Sequence, residues 1–194
     1  MALYETIMEI RSHHAGREIG SREEAISAAE EASERCLKYV EGFPIKMGAL
    51  LRGLGFEVWV KKFEDRSVSG VMALNSNKEY PKAIGVNEED SHAHQYFTLA
   101  HELAHYIFDV NNDNDKYFSI QYNTNVDNER NLVELRANKF AANFLMPKDV
   151  FHSKHMVAKS KFNNENIRLE YLSKVFGVTE TAIKKRLEEL SLAI

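Results

Sequence analysis

Cysteine occurs once in the 194 residues, as Cys36, so no disulfide can form within the chain and a reducing compartment is expected. Cys36 sits among alanines at helical spacing, where a buried small side chain is the expected role, ahead of a nucleophile. Proline and glycine are also scarce, and three prolines with nine glycines leave no stretch of flexible-linker composition. No run approaches the ~20 apolar residues that cross a bilayer. Met1-Ala2-Leu3-Tyr4-Glu5 has neither the basic flank nor the apolar run of a secretory signal. A cytoplasmic protein with no membrane attachment is therefore expected. Excess positive charge is missing too. Lys and Arg number 25 against 29 Asp and Glu, a formal net charge of −4, which gives nucleic acid no general attraction.

What is present is 44% hydrophobic and 28% charged, ordinary for one folded domain with a small appended part. Residues 1–20 are mixed and suggest no definite element. Ser21 and Glu24 form a capping box that opens a helix running to Val40, with Ala25, Ile26, Ala29, Ala32, Cys36, Leu37 and Val40 at helical spacing. A shorter helix is expected from Ile45 to Leu54, closed by Gly55. The period then changes: Phe56, Val58 and Val60 alternate with polar neighbours, and 70–74 and 83–86 are further short apolar runs. These predict a small antiparallel sheet of about three strands. Helices follow at 91–110 and 129–145, separated by a polar, asparagine-rich stretch (111–128) that reads as a long surface loop. Pro147 opens another short helix through Val157, and the pair 167–176 and 180–190 flanks the turn Gly177-Val178-Thr179.

The chemistry lies in His101-Glu102-Leu103-Ala104-His105. Histidines four apart on a helix sit about 40° apart around its axis, one turn above the other, so both imidazoles can reach one ion. Glu102, offset from that pair, can take a proton from a water the ion activates without entering the coordination sphere. The competing reading is a surface helix with solvated histidines. Phe97, Ala100, Ala104, Ile107 and Phe108 give the helix an apolar face, which favours a packed one.

A catalytic zinc needs a third protein ligand, and the helix carrying Val133, Ala137, Phe140 and Ala141 on its apolar side offers Glu134. Asn138, at i+4, can face the same site and hydrogen-bond around a ligand histidine. Alternatively, Glu134 is a surface charge paired with Asn138 or Arg130. Two imidazoles and a carboxylate suit zinc, although manganese or iron can occupy such a set.

Two motifs in this order, Phe97-Thr98-Leu99-Ala100-His101-Glu102-Leu103-Ala104-His105 and then Glu134-x-x-Ala137-Asn138-x-Phe140-Ala141-Ala142-x-x-Leu145-Met146-Pro147, resemble the ImmA/IrrE metallopeptidases. The resemblance runs from about Pro44 to the C-terminal Phe176-Gly177-Val178-Thr179 and Ile183, Arg186 and Leu187. It departs at Tyr96, where the family often has arginine, and at Ala104, where glycine is usual. It implies an α+β, zincin-like fold with the sheet packed against the HExxH helix and the helices after it, closed by a helix-turn-helix-like pair. It further implies His101, His105 and Glu134 as zinc ligands, Glu102 as general base, and a DNA-binding repressor of the helix-turn-helix class as protein substrate. The expected division is an N-terminal helical extension (1–43), a catalytic unit (44–158) and a C-terminal helical subdomain (159–194).

Other readings stay open. The protein can instead sequester a repressor without cutting it, or bind DNA through its last helices, where Lys184, Lys185 and Arg186 are followed by Glu188 and Glu189. His92 and His94 are either solvated or line the cleft, and His152 and His155 can meet on one helix face. Tyr117, Tyr122 and these histidines are candidates for stabilising an oxyanion.

Overall fold

The computed structural model describes residues 2–76, 78–112, 116–122 and 131–193. The chain begins with two helices, α1 (Ala2–His14) and α2 (Arg22–Leu37). Ser21 caps α2 by accepting from the Glu24 amide at 3.1 Å, while the Glu24 carboxylate reaches back to the Gly20 amide. Ala25, Ala28, Ala29, Ala32 and Cys36 are buried where α2 packs along α5 (Leu132–Leu145). Small side chains let two helices approach closely, which explains an alanine stripe in a helix this charged. Burial pushes the Cys36 thiol up to about 12, despite Arg35 nearby, and leaves it an inert apolar filler.

After α3 (Met47–Gly53) come β1 (Glu57–Lys61), β2 (Val68–Leu74) and β3 (Lys82–Asn87), then the central helix α4 (His92–Phe108). The α+β class stands, but the sheet has four strands, in the order β1-β3-β2-β4. The fourth, β4 (Tyr117–Tyr122), lies inside the stretch that reads as a loop and pairs antiparallel to β2. β1 runs parallel to β3, with Trp59 opposite Gly85, so the sheet is mixed. β2 is antiparallel to both of its neighbours.

The polarity of β4 explains why its alternation is deceptive. Tyr117, Ser119 and Gln121 are half-buried, whereas Phe118, Ile120 and Tyr122 are exposed, Phe118 by 60%. Large apolar residues outside and polar ones inside reverse the usual half-buried strand. The remainder of the polar stretch, 113–115 and 123–128, and the expected helix start at Glu129 and Arg130 lie outside the described residues.

α4 packs on the inner face of the sheet and against α5. At Gly70 of β2 this approach is so close that an added Cβ would stand 2.3 Å from Thr98 Cγ2 and 3.6 Å from Glu102 Oε1. Only glycine fits there. Phe108, Phe140 and Phe144 pack in the core between α4 and α5, while Tyr106 packs on the other side of α4 against Phe56 and Arg11. Arg11 of α1 donates to the Val110 carbonyl from both Nε and Nη2, at 3.3 and 2.9 Å, which fixes the N-terminal helix to the end of α4.

The last three helices are α6 (Lys148–Lys161), α7 (Glu165–Phe176) and α8 (Glu180–Glu189). Gly177 ends α7 with φ 70°, and Thr179 caps α8 through the Ala182 amide. Arg186 is 4% exposed and donates to the Met146 carbonyl at 3.1 Å, and Lys139 of α5 pairs with Glu189 at 2.7 Å. The C-terminal pair is thus locked to α5 by its own basic residue. Among the described residues, no helix is long and apolar enough to cross a membrane.

Candidate metal centre

Helical spacing on α4 stacks His101 and His105, and both imidazoles are almost fully buried. Their Nε2 atoms stand 2.9 Å apart. α5 crosses α4 so that Glu134, in its first turn, meets both rings: Oε2 lies 3.3 Å from His101 Nε2 and Oε1 lies 3.4 Å from His105 Nε2. Asn131 caps this turn by accepting from the Val133 and Glu134 amides. The three side chains form the one His/Cys/Asp/Glu cluster with metal-holding geometry among the described residues.

The far side of each imidazole is also held. His101 Nδ1 is 3.0 Å from Asn138 Oδ1, and His105 Nδ1 is 2.6 Å from Asp109 Oδ2. Carbonyl and carboxylate oxygens only accept, so each Nδ1 carries the proton and each Nε2 of a neutral ring presents a bare lone pair. Two lone pairs and a carboxylate converging on one point repel unless a cation lies among them. A tetrahedral zinc ion with nitrogen at ~2.0–2.1 Å sets its ligand atoms about 3.3 Å apart. Each Nε2 lies at about that spacing from one Glu134 oxygen, and one donor atom from each of the three side chains lies within 4.8 Å of the others, so the residues fit a metal ion of this kind.

Charge around the cluster points the same way. Burial by itself lowers the affinity of His105 for a proton, but hydrogen bonds to Asp109 and Glu134 outweigh it and push its value up to about 10. This ring is therefore neutral only where another cation takes the proton's place at Nε2. Burial would raise Glu134, yet its bonds to His101 and His105 hold it well below the usual carboxylate range. The site is built for positive charge.

Glu102 is 0% exposed, beside the histidine pair and beneath β2 and β4. Its Oε2 accepts from Ser119 Oγ at 2.7 Å, and its Oε1 is buried with no hydrogen-bond partner. Tyr117, on the same face of β4, feels the charges of Asp109, Glu102 and Glu134, and burial together with those carboxylates pushes its phenol further up. Tyr122 is exposed on the opposite face.

The remaining candidates lie elsewhere. His94 bonds Ser69 Oγ at 3.0 Å, and His92 sits near Gln95 at 3.4 Å beside an open groove formed with Pro44, Tyr96 and Val178. His155 is buried and donates from Nε2 to the Ala193 carbonyl, while His152 is exposed, so this pair does not converge. Arg130, the alternative partner for Glu134, lies outside the described residues. Sequence reasoning missed Asp109 and Arg136. Asp109 stands at i+4 from His105, a spacing that marks it as a partner for that ring, and Arg136 Nη2 grips its other oxygen. Arg136 also lies over the Phe108 ring and is almost fully buried.

The sequence matches the IrrE N-terminal-like domain, a peptidase domain, over residues 52–188. No curated protein matches the chain. Among solved structures, a Mycobacterium tuberculosis transcriptional regulator is similar over 97% of this chain and 52% of its own, with a TM-score of 0.49 and 17% identity. This chain therefore spans about half the length of that protein.

Proposed function

The chain belongs to the IrrE N-terminal-like peptidase family, and from that premise we propose that it is a zinc-dependent endopeptidase acting on a partner helix-turn-helix repressor. The observation that carries the reading is the cluster of the buried His101 and His105 with the half-buried Glu134, and the buried Glu102 beside it. Three protein donors leave room for water or substrate, the mark of a catalytic rather than a structural zinc site.

A bound zinc ion supplies Lewis acidity, which acidifies a water molecule and polarises a peptide carbonyl. The protein's own groups do the rest. Asn138 and Asp109 hold the Nδ1 protons of His101 and His105 and so keep both Nε2 lone pairs on the site. Glu102 accepts at its carboxylate the proton lost by the attacking water and returns it to the leaving amine nitrogen. Burial excludes bulk water around that carboxylate.

In this reading, residues 44–158 carry the chemistry. Residues 1–43 support it through Arg11 and α2, and residues 159–194 form a helical pair seated on α5. Direct DNA contact by that pair is disfavoured because Arg186 is spent inside the fold. The repressor as substrate is the finer part of the proposal and rests on the family resemblance of the two motifs. The test is to incubate the zinc-loaded protein with a proteome-derived peptide library and, separately, with the repressor encoded beside its gene. Cleavage of both supports the whole reading. Cleavage of peptides alone removes the repressor, and a stable complex with an uncut repressor replaces proteolysis with sequestration.

A further inference from the structure

β4 brings a polar side chain against Glu102 itself. Ser119 stands opposite Met72 of β2 and donates from Oγ to Glu102 Oε2 at 2.7 Å. The strand reaches this contact at a cost in apolar burial, because its inward positions are Tyr117, Ser119 and Gln121 while Phe118, Ile120 and Tyr122 face out. A slip of one residue would bury the three apolar side chains and turn Ser119 to solvent. The register kept is the one that delivers a hydroxyl to a fully buried carboxylate.

That carboxylate has little else to orient it. Oε1 lacks a hydrogen-bond partner, and Gly70, with no side chain, leaves the space beside it clear. A carboxylate with one oxygen tethered and the other free can present that free oxygen in a fixed direction, whereas an untethered one samples several rotamers. We infer that Ser119 is a positioning residue for the peptidase reaction: by holding Glu102 Oε2 it fixes the oxygen that takes and returns the proton. This rests on the peptidase reading above. It also makes orientation of the base depend on β4 being docked against β2, so the edge strand is part of the catalytic apparatus without touching the metal.

The test uses the full chain, zinc-loaded, and a fluorogenic peptide spanning a bond cut in the peptide library. S119A is expected to lower kcat by about 10- to 100-fold with KM changed less than about twofold, since only proton transfer in the transition state is affected. Zinc content should equal that of the wild type. S119T keeps the hydroxyl and should restore kcat to within about threefold of wild type. A second measurement needs no catalysis. In urea unfolding of the metal-free protein, a cycle of S119A, E102A and the double variant should show coupling of about tenfold in the folding equilibrium constant. An unchanged kcat in S119A, a loss confined to KM, or absence of coupling each overturns the inference while the peptidase reading stands. Coupling in a protein that cuts nothing overturns the peptidase reading, and the role of Ser119 in a reaction falls with it.

Discussion

His105 Nδ1 lies 2.6 Å from Asp109 Oδ2, and the other oxygen of Asp109 is gripped by the buried Arg136 guanidinium. One carboxylate therefore sets the ring orientation of a histidine on α4 and ties it to α5. Hydrogen bonds of this kind raise the basicity of a ligating imidazole and fix its tautomer. D109N keeps the shape and an accepting oxygen but removes the charge. Zinc affinity, measured by chelator competition, should fall by about tenfold or more. Unchanged affinity would mean that Asp109 serves the α4–α5 contact alone.

Glu134 contributes the only negative charge in the three-donor cluster. E134A leaves two neutral imidazoles, and zinc affinity should fall on the order of 100-fold or more. Dialysed protein would then lose its metal, and its melting temperature would cease to respond to added zinc. A variant that retained one zinc per chain after dialysis would remove Glu134 from the site.

Close approach of β2 to α4 gives a stability prediction. In G70A the new methyl group meets Thr98 Cγ2 at 2.3 Å, on a helix packed into the core. Overpacking of this kind costs about 1–3 kcal/mol, to be read in urea or thermal unfolding. Wild-type stability in G70A would show that α4 and β2 stand further apart than described.

The seat of α8 is sensitive to pH. Burial alone would raise the Glu189 carboxyl, but Lys139 and Arg186 hold it below its ordinary value of 4.5. Its folded-state value is depressed, so its contribution to stability is fully present above 4.5 and is lost as pH falls through the lower folded value. E189Q should cost about 1 kcal/mol at neutral pH and flatten the decline on the acid side. Urea unfolding across that range checks it, and parallel curves for E189Q and wild type would contradict it.

Much of the centre can be read in the sequence because helical spacing is rigid. His101 and His105 stack at i, i+4, and the same spacing on α5 sets Glu134 and Asn138 on one face, where Asn138 reaches His101. What spacing does not carry is the partner across a fold. Ser119 comes to Glu102 only after β4 has found β2, and β4 is disguised by outward aromatics and asparagine-rich flanks. The parallel pairing of β1 with β3 is likewise invisible, since short alternating runs look alike in either direction. Asp109 was within reach, four residues past His105, at the C-terminal end of the helix. On the proposed peptidase reading, functional demand explains the exceptions. Ser119, Glu102 and Arg136 are polar groups placed inside, where pattern alone expects apolar ones.

The most direct test compares wild type with E102Q, each loaded with zinc and assayed for metal content and for cleavage of the peptide library. Glu102 is buried beside the cluster without contributing to it, so both proteins should bind one zinc per chain. Only the wild type should cut, with E102Q slower by at least about 100-fold. Cleavage by E102Q at the wild-type rate, or a zinc-loaded wild type that cuts no peptide, would contradict a metallopeptidase centre at this site.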